Sequence, residues 1–91
     1  SNGVLPASAP SVPVADVEIV RASAYIPLDQ TYEWGIVRAA ALQAENERSI
    51  CIGWMDMGGE VSLLPDVTEI VRLGANDSLI LIRRMLNLEE D

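Results

Sequence analysis

The stretch Ser49-Ile50-Cys51-Ile52-Gly53-Trp54-Met55-Asp56-Met57-Gly58-Gly59-Glu60-Val61-Ser62-Leu63-Leu64-Pro65 decides the fold. Residues 49–55 place apolar side chains on both faces of an extended chain, which predicts a central strand. Asp56 to Glu60 then gives a hairpin signal, because paired glycines reach positive φ without a Cβ penalty. Val61 to Leu64 is the return strand, and Pro65-Asp66 stops it, since proline has no amide to donate.

Upstream, residues 16–22 alternate Val17 and Ile19 against Glu18, Val20 and Arg21, the pattern of a strand with one wetter face. Tyr25 to Asp29 is a connector containing Pro27. Thr31 is an expected N-cap, with Glu33 in the first turn, where a negative charge suits the helix dipole. The expected helix runs from Tyr32 to Ala44. Trp34, Val37, Ala41 and Ala44 form one stripe, with Tyr32, Ile36, Ala39 and Ala40 beside it. That arc is wider than a single sheet face requires, so the helix is expected to touch its own sheet and a partner. Downstream, residues 67–73 alternate as a further strand, Gly74-Ala75-Asn76-Asp77 is a turn, and Ser78 to Ile82 is a second central strand. Arg83-Arg84 closes it.

The predicted order is β-α-β-β-β-β. It gives an α+β fold, a mostly antiparallel sheet of four to five strands with one main helix on one face. The domain is expected over residues 16–84. Residues 1–15, with Pro6, Pro10 and Pro13, read as a Pro/Ala-rich linker or tail. Residues 85–91 read as a C-terminal tail or the start of a helix.

Composition narrows the function. The chain has 91 residues, 49 % of them hydrophobic, fourteen acids against six arginines, no lysine or histidine, and a net charge of −8. Such a charge disfavours nucleic acid and anionic membrane surfaces, both of which need clustered basic residues. The longest uninterrupted apolar runs, Ala39–Leu42 and Leu79–Ile82, fall far short of a membrane span. Without histidine there is no Ser-His-Asp or Cys-His pair and no usual zinc set. Without lysine there is no Schiff-base chemistry. The chain therefore reads as a non-enzyme with no cofactor. Asp56, Glu60 and Asp66 are weak candidates for a metal site, although their spacing matches no calcium loop. A hydrolase would require those acids to converge in a cleft. Cys51, the single cysteine, is expected to be a buried structural thiol in a reducing, cytoplasmic setting. Trp34 and Trp54 read as core or interface anchors, and the dimer-interface candidates are Trp34, Ile36, Val37, Ala40 and Ala41.

Three segments between Val17 and Arg83 carry a family resemblance. Thr31-Tyr32-Glu33-Trp34, leading to Arg38-Ala39-Ala40, is similar to a Ser-aromatic-aromatic helix start. Ser49-Ile50-Cys51-Ile52-Gly53-Trp54 resembles a Val-Ala-Ile-Gly-Tyr strand, followed by a Gly hairpin and the stop Leu63-Leu64-Pro65. Ile70 to Ile82 resembles an ending of the form leucine, spacer, Gly-Asp-x-Leu-Ile-Val-Ile. Together they resemble the C-terminal lobe of regulator-of-conductance-of-potassium domains, in the form found in Castor and Pollux ion channels and their bacterial relatives. Asn76-Asp77 replaces the usual Gly-Asp, with Gly74 displaced. The family's nucleotide-binding half lies outside these residues, so the resemblance assigns no nucleotide site. It implies a cytoplasmic regulatory lobe of a membrane-embedded cation channel or transporter, a homodimer within a larger ring, open to a small ligand or ion. A generic intracellular protein–protein interaction module is the alternative.

Overall fold

The computed structural model describes residues 15–84. The expected linker, apart from Ala15, and the expected C-terminal tail or helix lie outside the described residues. In chain order the elements are β1 (Ala15–Arg21), a 3-10 turn (Ala22–Ala24), β2 (Thr31–Glu33), α1 (Trp34–Ala44), β3 (Ser49–Met55), β4 (Val61–Leu63), β5 (Ile70–Arg72) and β6 (Ser78–Arg84). Four strands make an antiparallel sheet in the order β1-β6-β3-β4, and β2 pairs with β5 in a separate two-stranded ribbon. The fold is α+β, with one helix against a mostly antiparallel sheet, as the sequence predicts.

The hairpin forms where expected. Gly59 takes φ 89 and donates its amide to the Asp56 carbonyl, while Asp56 and Glu60 close the ladder. A bulge interrupts β3 between Cys51 and Gly53, where the register against β6 shifts by one residue. Gly53 sits there against the Ser62 carbonyl and Leu63 of β4, leaving no room for a Cβ.

The start of α1 differs from the expectation. Thr31 is not an N-cap but the first residue of β2, paired with Arg72. Glu33 occupies the cap position with extended φ and ψ and makes no side-chain cap bond. The exposed helix amides are satisfied from across the fold: Trp34 N–H donates to the Glu69 carbonyl at 2.7 Å, and Gly35 N–H to the Val67 carbonyl at 2.8 Å. A peptide segment thus does what a capping side chain usually does. The strand expected over residues 67–73 is correspondingly shortened to Ile70–Arg72, because residues 66–69 bend to reach the helix. At its other end α1 closes with a Schellman pair, Glu47 N–H to Leu42 O and Asn46 N–H to Gln43 O, with Asn46 at φ 55.

The core lies between α1 and one face of the four-stranded sheet. Trp34, Val37 and Ala41 of the helix meet Cys51, Leu79 and Leu81, with Leu73, Val71, Ala22 and Ile26 closing the sides. Burying that many aliphatic and aromatic side chains is the main favourable term, at ~1.5–3 kcal/mol for each large one before entropy is charged against it.

Candidate functional site

The register lays out the far face of the sheet row by row. Val17 of β1 stands opposite Ile82 of β6, which stands opposite Ile50 of β3. In the next row Ile19 faces Ile80, then Gly53, then Leu63 of β4. A third row runs Arg21, Ser78, Met55, Val61. No element covers these rows among the described residues. Ile19 is 54 % exposed and Leu63 59 %, and Val17, Ile50 and Val61 are open as well. Ile80 and Ser78, on the β6 strand of the same face, are buried.

The wetter side of β1 is thus the one carrying Val17 and Ile19. Glu18 and Val20 turn toward the helix side, opposite Leu81 and Leu79. Likewise β3 is central in the sheet but is covered on one face only. Just past β4, Leu64 is 76 % exposed and held at φ 51. A branched side chain in the left-handed region is strained, by roughly 1–2 kcal/mol. Within the single chain that strain is not offset by burial.

The charged groups collect on the helix side. Glu18 accepts both a 3.1 Å bond from Arg83 Nε and a 3.2 Å bond from Nη2, and Glu45 lies 3.6 Å from the same guanidinium. Tyr25 donates its hydroxyl to Glu45 Oε2 at 2.6 Å. Burial, then that hydrogen bond to a carboxylate, raises the Tyr25 pKa and keeps the phenol protonated. Cys51 is buried as expected, and burial pushes its thiol up to about 11, so it carries no nucleophilic thiolate at neutral pH.

The weak metal candidates are not brought together. Asp56 Oδ1 accepts the Glu60 amide at 2.9 Å within the hairpin. Asp66 Oδ1 accepts the Thr68 amide at 2.9 Å and hydroxyl at 2.8 Å, and these bonds, the amide first, lower its pKa. Each is occupied in its own turn. No three of His, Cys, Asp or Glu gather around a point among the described residues, and no cavity opens there.

The dimer-interface candidates divide. Trp34 is 1 % exposed, and Val37 and Ala41 are fully buried against the chain's own sheet, which leaves them no surface to offer a partner. Ala40 is half-buried, and Ile36 is exposed in the first turn of the helix. Sequence reasoning missed the open sheet face. Alternation in β1 and β3 signals two faces, but only the register shows which one α1 leaves bare.

Among the described residues no helix is long and apolar enough to cross a membrane. No family model and no curated protein matches the chain.

Proposed function

We propose that this chain acts by assembly: it is a cytoplasmic regulatory domain of a cation channel or transporter, with potassium the expected ion, and it dimerises. The observation that carries the assembly part is the three-row aliphatic face of the sheet. Exposed apolar patches of this kind mark interaction surfaces. The channel part rests on the resemblance of three segments, which lie in β2 with the first half of α1, in the β3–β4 hairpin and in the β5–β6 ending. In such a lobe a partner or ligand with different affinity for two arrangements of the dimer biases a gate. No residue is assigned to catalysis.

Two measurements separate the parts. Sedimentation equilibrium of the isolated domain is expected to show a dimer at high micromolar concentration, and a monomer throughout would remove the dimer. Sequence flanking the domain in its gene is expected to encode membrane helices or a nucleotide-binding βαβ half. A gene encoding neither would favour the alternative, a generic interaction module, which the same sheet face supports equally.

A further inference from the structure

We infer that the open sheet face, and not the helix, is the contact between two copies of this chain, which stack sheet on sheet about a two-fold axis. The inference rests on the dimer reading above and names its surface. Three observations point to a second copy as the occupant.

The first is charge. The chain carries −8 overall, so two copies repel wherever acids face each other. The three rows from Val17 to Val61 contain no carboxylate, and their one charged residue, Arg21, sits at a corner with its guanidinium 3.3 Å from the Ala75 carbonyl. Asp16, Glu18 and Arg83 all lie in rows of the opposite face. This face is therefore where copies of like charge can meet without desolvating acids. A lipid surface fits less well: anionic headgroups are repelled, and the rows carry no Trp or Tyr of the kind that settles at a membrane interface.

The second is composition. Apart from Gly53 in the middle row and Ser78 and Arg21 in the third, the rows are Val, Ile, Leu and Met, with no aromatic side chain. Transient heteromeric interfaces concentrate Tyr, Trp and Arg, whereas obligate homodimer interfaces resemble a core cut in half. A bare aliphatic sheet face is half of a sandwich core. Its complement is another such face about 10 Å away, and a second copy supplies one.

The third is area. Strand spacing and rise give this face a projected area of roughly 400 Å². Two of them, with their side-chain flanks, approach the ~1,000 Å² that a specific interface requires.

The test compares wild type with Ile19→Lys, Ile50→Lys and, on the helix, Ile36→Lys, by sedimentation equilibrium over a concentration series. Lysine lowers the net negative charge, so dissociation would come from an ammonium placed in the contact and not from added net repulsion. Both sheet variants are expected to weaken dimerisation about a hundredfold or more, and Ile36→Lys to leave it within about threefold. Circular dichroism checks that each variant is folded. If a sheet variant unfolds, methyl NOEs between labelled and unlabelled wild-type copies replace it, with signals expected among Ile19, Ile50, Ile80 and Ile82. A wild-type dimer that survives both sheet substitutions, or that dissociates on Ile36→Lys alone, overturns this inference and leaves the dimer reading standing. A wild-type monomer overturns both, as does flotation of the wild type with vesicles of neutral lipid in place of self-association.

Discussion

At the scale of single residues, the buried thiol and the half-buried phenol make stability depend on alkaline pH. Cys51 has an ordinary pKa of 9.0 and is held near about 11 in the folded chain, because burial disfavours the thiolate. A raised folded-state pKa means that the unfolded chain loses the proton first. The stabilisation is therefore complete below pH 9 and is lost as pH rises toward 11, by about 2–3 kcal/mol across that window. Tyr25, raised from 10.0 by burial and then by its bond to Glu45, adds loss in the same direction above its ordinary value. Thermal melts taken from pH 8 to about 11 should show a falling Tm whose slope steepens above the ordinary thiol pKa. In Cys51→Ala the early part of that fall should flatten. An undiminished slope in that variant would show that the thiol is not the titrating group.

At the scale of elements, the β3–β4 hairpin depends on Gly53. A Cβ there would run into the Ser62 carbonyl and come within 3.0 Å of Leu63 Cα, so alanine forces the two strands apart at the bulge. Gly53→Ala should cost about 3 kcal/mol, read as a lower urea midpoint. Gly58→Ala is the control, since its Cβ would meet only Asp56 Oδ1, at 3.4 Å. Equal midpoints for the two variants would contradict the close approach. This hairpin was legible in the sequence because its signals are local: a glycine pair, an apolar run and a proline. The Gly74–Asp77 turn, closed by Asp77 Oδ2 accepting the Gly74 amide at 2.8 Å, was legible for the same reason. The segment 31–33 was not. Thr31 ahead of an acid and an apolar period looks like a helix cap, but pairing with Arg72 and Ile70, far along the chain, makes it a strand. The open face was hidden for a related reason. Val17 and Ile19 look like core residues until their partners on β6 are known, and that register is a tertiary fact.

At the scale of the whole molecule, an excess of like charge works against both folding and assembly. Fourteen acids oppose six arginines, and the ion pairs among the described residues are those of Arg83 with Glu18 and Glu45. The Arg83–Glu18 pair is about one-third exposed on each side, so its contribution is small. Net repulsion is therefore the larger electrostatic term, and salt should relieve it. The screening length falls from ~30 Å at 0.01 M to ~8 Å at 0.15 M ionic strength, from longer than the spacing of charges on a domain of this size to comparable with it. Raising sodium chloride across that range should raise the Tm by several degrees. It should also tighten self-association, because two copies of the same sign repel at every distance short of contact. Chloride is the right salt for this measurement, since sulfate would strengthen apolar burial by exclusion and blur the cause. A Tm that falls with added chloride would mean that the Arg83 cluster outweighs the net charge. Association that loosens with salt would mean that the contact between copies is made by ion pairs, which a carboxylate-free sheet face cannot supply.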